Sequence, residues 1–236
     1  MEAVIVKDLI KKYHKVTVIN SLNLSVEDKK CAVILGMDGS GKTTLINLLA
    51  ENIRKTSGEI TYNSSYSFMP DAEGLSEHLT VYENLYLMAM ASGYLKEDAK
   101  KIIDEYANKF NITERYDDKV KTLSVSLKKL VSYILLLVMN TDIFLLDEPF
   151  KGIDVKIKRV MLDSLKELKN KKTIILTTEL VDIAKELSDD LYILKDGVLE
   201  KIDKDKELLE LENKLLNAEV VEWVSFLSQE EPIKNS

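Results

Sequence analysis

Cysteine, proline, arginine and long apolar runs are all scarce in this sequence of 236 residues. The single cysteine, Cys31, leaves no partner for an internal disulfide and too few thiols for a zinc cluster, a usage that suits a reducing cytoplasm. Three prolines and eight glycines give little punctuation, so the chain reads as densely folded, without internal repeats or low-complexity tracts. The longest uninterrupted apolar run, Ile134 to Met139, is six residues. A membrane-spanning helix needs about 20, so none is expected. Met1-Glu2-Ala3-Val4 lacks the basic-then-apolar order of a signal peptide. Only Arg54, Arg115 and Arg159 are arginines among 33 basic residues, and 40 acidic residues bring the net charge to −7. An acidic, arginine-poor chain is poorly suited to gripping a nucleic-acid backbone, so no nucleic-acid partner is expected.

What is present is a chain with 45% hydrophobic residues, long enough to bury a sizeable core. Val4-Ile5-Val6, Thr17-Val18-Ile19 and the alternating Leu22 to Val26 read as short strands. Cys31 to Leu35 is a continuous apolar run ended by glycine, as a buried parallel strand would be. Leu45, Ile46, Leu48 and Leu49 then recur at helical spacing. Ser57-Gly58-Glu59-Ile60 and Tyr66-Ser67-Phe68-Met69 read as short strands around a turn. From about Leu79 to Met139 the pattern is helical throughout. Strands resume at Ile143 to Leu146 and Thr173 to Leu176, separated by a helix over Val155 to Leu168. Lys195-Asp196-Gly197 predicts a hairpin turn between Tyr192–Leu194 and Val198–Leu199. Beyond about Asp205, Leu209, Leu216, Val220, Trp223 and Leu227 mark one face of a C-terminal helix that is expected to pack on the chain's own core.

Gly36-Met37-Asp38-Gly39-Ser40-Gly41-Lys42-Thr43 fits the phosphate-loop pattern G-x-x-x-x-G-K-[ST], and it lies between a buried strand and a helix, the context that motif requires. Its glycines let backbone amides close around phosphate oxygens at the positive end of the following helix. Lys42 can reach the β- and γ-phosphates, the Thr43 hydroxyl can ligate Mg²⁺, and Thr44 continues the loop into the helix. A second element is Phe144-Leu145-Leu146-Asp147-Glu148, two carboxylates at the end of an apolar strand. Asp147 is expected to hold Mg²⁺ through its water shell, and Glu148 to polarise the attacking water as general base. A phosphate chain and Mg²⁺ are thus the expected ligand and cofactor, and the resemblance below implies that the ligand is ATP.

With both elements in hand, the sequence resembles the ATP-binding subunit of ABC transporters over nearly its whole length. The resemblance implies an α/β fold: a P-loop NTPase core with an N-terminal antiparallel β subdomain and an inserted α-helical subdomain. Residues 1–72 would hold the β subdomain and first part of the core, 73–140 the helical insert, 141–204 the rest of the core, and 205–236 the helical tail. It further implies that Tyr13 stacks on adenine and that Asp154, in Lys151-Gly152-Ile153-Asp154, lies in a loop crossing a dimer interface. Glu83-Asn84-Leu85 after Leu79-Thr80-Val81 resembles the start of the family's helical domain.

Three positions depart from the family. Where it carries a Leu-Ser-Gly-Gly-Gln-like signature, this chain reads Leu123-Ser124-Val125-Ser126-Leu127-Lys128-Lys129. Ser124 is retained and can donate to phosphate, whereas the branched Val125 would impede the approach of backbone amides that glycine permits. A family histidine that contacts the γ-phosphate is replaced by Glu179. A glutamine that touches Mg²⁺ is replaced by Asp71, itself a possible Mg²⁺ ligand. Both changes add a carboxylate beside an anionic triphosphate, at about 1 kcal/mol in water and several at lower effective dielectric. His14 and His78, the only histidines, stand elsewhere in chain order.

The resemblance therefore implies an ATP hydrolase at a dimer interface, of weak activity, working with a second ATPase chain, identical or not. Separate permease subunits would hold it at the cytoplasmic face of the membrane for transport, in the direction of export. The alternatives are a soluble scaffold ATPase of the same class and a non-catalytic subunit that binds ATP for regulation.

Overall fold

The computed structural model describes residues 1–71 and 74–203. The expected tail helix with Leu209, Leu216, Val220, Trp223 and Leu227 lies outside the described residues.

Two sheets organise the chain. Strands β1 (Glu2–Tyr13), β2 (Val16–Glu27) and β4 (Ser57–Tyr62) form an antiparallel sheet in the order β2-β1-β4. Strands β3 (Cys31–Leu35), β5 (Tyr66–Met69), β6 (Ile143–Asp147), β7 (Thr173–Thr178), β8 (Asp190–Lys195) and β9 (Val198–Ile202) form the second, in the order β5-β6-β7-β3-β8-β9. Its first five strands run parallel, and β9 returns antiparallel to β8.

The continuous apolar runs have a direct cause. Every residue of β3, β6 and β7 is buried. Alternate side chains enter opposite cores, as a period of two dictates. Cys31, Val33, Leu35, Phe144, Leu146, Ile174 and Leu176 pack on the helical side. Ala32, Ile34, Ile143, Leu145 and Ile175 pack toward α1 (Lys42–Leu49) and the antiparallel sheet. A sheet covered on both faces has no polar face to alternate with.

Helices α2 (Val81–Ala91), α3 (Lys96–Lys109) and α4 (Val125–Met139) fill the segment read as helical, followed by α5 (Val155–Leu168) and α6 (Val181–Leu187). Thr80 and Glu83 cap α2 reciprocally: Glu83 N donates to Thr80 Oγ1 at 3.1 Å and Thr80 N to Glu83 Oε2 at 2.8 Å. The longest apolar run belongs to α4, whose Leu130, Val131, Tyr133, Ile134, Leu135, Leu136, Leu137 and Val138 are all buried. A helix apolar all round belongs inside a core, and here α4 is packed among α2, α3, α5 and β5. Among the described residues no helix is long and apolar enough to cross a membrane.

Two expectations about strands are corrected. The segments at Thr17–Ile19 and Leu22–Val26 are one twelve-residue strand, β2, and Val4–Val6 is the start of an equally long β1. Irregular register interrupts their pairing, with Asp8 and Ser21 in left-handed backbone (φ 46° and 49°). Ser21 Oγ donates to Asp8 Oδ1 at 3.1 Å, so the polar residues that read as a break tie a bulge instead. The segments 57–60 and 66–69 are both strands, but they enter different sheets rather than one hairpin. The Asp196-Gly197 hairpin is present, with both residues at positive φ (49° and 74°) as a two-residue turn requires.

Because β3, β5, β6 and β7 are parallel, their carboxyl ends meet at one edge. Register pairs Leu35 with Thr178, Asp147 with Thr177, and Met69 with Leu146. The sequence motifs follow those residues directly, so topology alone gathers them where ligands of open parallel sheets bind.

Candidate functional site

The loop after β3 is shaped by close approach. A Cβ on Gly36 would lie 2.4 Å from Ser40 Oγ and 2.9 Å from the Leu194 carbonyl oxygen, so only glycine fits. Gly41, at φ 101°, is the N-cap of α1, and the helix begins at Lys42. Lys42 is buried and turns back into its own loop: Nζ donates to the carbonyls of Gly36 at 2.8 Å and Met37 at 3.0 Å. The same Nζ lies 3.1 Å from Glu148 Oε1. No other donor reaches the Glu148 carboxylate oxygens among the described residues, so the Lys42 ammonium is their one close partner.

Asp147 and Glu148 are buried at the end of β6. Thr177 Oγ1 donates to Asp147 Oδ1 at 2.7 Å and accepts from Glu148 N at 3.2 Å, so one hydroxyl orients both acidic residues. Burial raises the pKa of Asp147, opposed by the Thr177 hydroxyl and, after it, by the Thr43 hydroxyl. Thr43 thus brings the phosphate loop close to the acidic strand end. Burial likewise raises the pKa of Glu148, with the Lys42 charge acting against it. A raised carboxyl pKa favours a group that accepts a proton from water. Glu148 also sits at φ 43°, a left-handed conformation costly for a side-chain-bearing residue and concentrated at functional sites. Replacing Thr177 by Val removes two bonds to buried polar groups while keeping shape. Denaturant unfolding is expected to register a loss of about 1–3 kcal/mol.

Asp38, Gly39, Gly41, Lys42, Thr43, Thr44, Asp71, Glu148 and Lys151 line one cavity of about 210 Å³ with Val18. Thr43 and Asp147 offer hard oxygens, the donor type that suits Mg²⁺. Among the described residues, no group of three or more His, Cys, Asp or Glu side chains could cage a metal. A few protein oxygens beside a phosphate loop is the arrangement Mg²⁺ uses when phosphates and waters complete its octahedron, so the donors fit that ion.

This geometry has relatives. The family model described as ABC transporter matches residues 19–151. The chain belongs to the ABC transporter ATP-binding family. An uncharacterised ABC transporter ATP-binding protein of Methanocaldococcus jannaschii is 34% identical over 193 residues, covering 81% of this chain and 74% of the relative. A second relative, named in similar terms and from Caldanaerobacter subterraneus subsp. tengcongensis, is 30% identical over 226 residues, 88% of this chain and 93% of its own. The solved structure of an ATP binding subunit of an ABC transporter superposes with a TM-score of 0.82 at 24% identity, over 91% of this chain and 99% of that one. These establish an ABC ATPase domain with the α/β fold.

Within this ABC ATPase the remaining expected residues fall into two groups. Asp71 lines the cavity, and Glu179 follows β7 at its edge. Neither adds a bare carboxylate. Lys129 Nζ donates to Asp71 Oδ1 at 2.7 Å and, with the same ammonium, to the Glu148 carbonyl at 2.7 Å. Lys151 Nζ donates to Asp38 Oδ1 and Oδ2 at 2.8 and 3.0 Å and lies 3.6 Å from Glu179 Oε2. The repulsion expected from Asp71 and Glu179 is therefore countered by two lysines that the sequence reading left unpaired.

Ser124 and Tyr13 stand outside that cavity lining. Ser124 is the N-cap of α4, accepting from Leu127 N at 3.3 Å, and Val125 beside it is exposed. Ser126 Oγ accepts from Asp154 N at 2.9 Å, while Asp154 caps α5 through a bond from Ile157 N at 2.9 Å. The signature segment and the Lys151–Asp154 loop thus form one surface. Tyr13, at the end of β1, is exposed, with Lys11 Nζ 4.5 Å from its ring centroid. Thr177, Lys129 and Lys151 are the site residues sequence reasoning missed. Their only signals were two threonines closing an apolar strand and lysines within stretches already singled out.

Proposed function

We propose that this chain binds MgATP at the phosphate loop and hydrolyses it, coupling binding and hydrolysis to transport, in the export direction, through separate membrane permease subunits. The observation that carries the hydrolysis part of this reading is the buried Glu148 carboxylate, 3.1 Å from Lys42 Nζ, beside Asp147 at the end of β6 and in one cavity with Lys42 and Thr43. Among the described residues Lys42 is its one close partner, so the carboxylate keeps lone pairs for water, as a general base requires.

In this reading Gly36, Met37, Asp38, Gly39, Ser40, Gly41, Lys42, Thr43 and Thr44 enclose the phosphates through backbone amides and the Lys42 ammonium. Mg²⁺ supplies charge neutralisation at the phosphates, held by Thr43 and Asp147, with Asp71 within reach of its water shell. Glu148 takes the proton of the attacking water. Tyr13 stacks on the adenine. Ser124 serves the nucleotide of a second ATPase chain, identical or not, because on its own chain it lies apart from the phosphate loop. The exposed Val125 in place of glycine restricts that contact and keeps hydrolysis slow, so dimer closure draws mainly on ATP binding. Residues 74–140 make the helical unit, and the protein lies peripheral to the cytoplasmic face of the membrane.

Capture of the full-length chain from detergent-solubilised native cells tests the transport reading. A polytopic permease is expected among the co-purifying chains, with a second ATPase subunit or a second copy. Recovery of soluble partners alone, under conditions that preserve known membrane complexes, would favour the soluble scaffold alternative instead.

A further inference from the structure

Lys151 is a cation of this site that belongs to neither the phosphate loop nor the acidic strand end. It lies three residues beyond Glu148 in a turn closed by Lys151 N donating to the Glu148 carbonyl at 3.2 Å. Its ammonium reaches the Asp38 carboxylate on the phosphate loop and stands 3.6 Å from Glu179 at the end of β7. It also lines the same cavity as Lys42, Thr43 and Glu148. Around that cavity Lys42 and Lys151 are the lysines, against the carboxylates of Asp38, Asp71 and Glu148. Asp71 is held by Lys129, so without Lys151 a single lysine would receive a triphosphate beside the carboxylates of Asp38 and Glu148.

We propose that Lys151 is a further phosphate-contacting residue, supplying at the terminal phosphate of ATP the cation that Glu179 does not. The proposal rests on the nucleotide reading above. Asp38 and Glu179 act as positioning residues. The Asp38 side chain is 76% exposed, so water can take over its hydrogen bonds at little cost. The phosphate oxygens of ATP then become the stronger competitor for Lys151. An ammonium has three donors, so Lys151 can turn to phosphate and retain Glu179. Asp38 and, after it, Glu179 hold the ammonium protonated. The alternative is an ordinary surface ion pair with no part in ligand binding.

The test is equilibrium titration of the full-length protein with MgATP and, separately, MgADP. Lys151→Met is expected to weaken MgATP about tenfold, the scale of one charge-assisted hydrogen bond, and MgADP about twofold or less. Lys151→Arg, which keeps the charge, should retain most of the MgATP affinity. Lys151→Gln supplies the same comparison should the Met variant fold poorly by circular dichroism. Equal losses for the two nucleotides, or no loss for either, overturn the assignment of Lys151 while leaving the nucleotide reading in place. A wild-type protein that binds neither nucleotide overturns both.

Discussion

Glu148→Gln is expected to lower ATP turnover in the assembled complex by about 10²–10⁴-fold while changing MgATP affinity by only a few-fold. The substitution keeps size and shape, so the left-handed backbone at residue 148 and the bond from its amide to Thr177 survive. What it removes is the lone pair that accepts a proton. Among the described residues the one close partner of the carboxylate is Lys42 at 3.1 Å, so no other contact should be lost with it. Losing that competitor frees Lys42 for phosphate, so binding should hold or tighten. Phosphate release and equilibrium binding measured on the same preparation separate the two effects. Unchanged turnover would assign the proton transfer to another group, and turnover undetectable in both proteins would favour the regulatory, non-catalytic alternative.

Lys129→Met is the second large effect, and it acts on the fold. Lys129 is buried on α4, yet its partners are Asp71 beyond β5 and the Glu148 carbonyl beyond β6, so one ammonium pins the helical segment to two strand ends of the site. Removing one partner of a fully buried ion pair costs about 3–5 kcal/mol. Asp71 remains 39% exposed, and water can take over part of its solvation. A loss of about 2–3 kcal/mol in denaturant unfolding is therefore expected. Asp71→Asn keeps a hydrogen-bond acceptor for Lys129 but leaves its buried ammonium without a counter-charge, so it should cost a comparable amount. No loss in either variant would mean that the Lys129 contacts do not hold the helical segment to the site.

The phosphate loop, the acidic strand end and the two-sided burial of the parallel sheet were legible because each is written in consecutive residues. Five apolar residues in β3 closed by Gly36 can be little else than a covered strand entering a tight turn. The long antiparallel strands were read as fragments, because Asp8 and Asn20-Ser21 look like turn residues until bulge geometry gives them a place. The charge balance of the site was misjudged for a different reason. Asp71 and Lys129 are 58 positions apart, and Asp38 and Lys151 are 113 apart. Pairings at that range follow from the sheet order and not from any local pattern. Lys129, beside Lys128 near the start of α4, also reads as solvated until its turn of the helix is seen to be buried.

The measurement that tests the account most directly is equilibrium titration of the full-length protein with MgATP, beside a Lys42→Ala variant. The account predicts saturable binding at one site per chain, with affinity falling by about 10²-fold or more in the variant, since Lys42 is the buried ammonium within the phosphate loop. Absence of saturable binding, or binding that Lys42→Ala leaves unchanged, would contradict it.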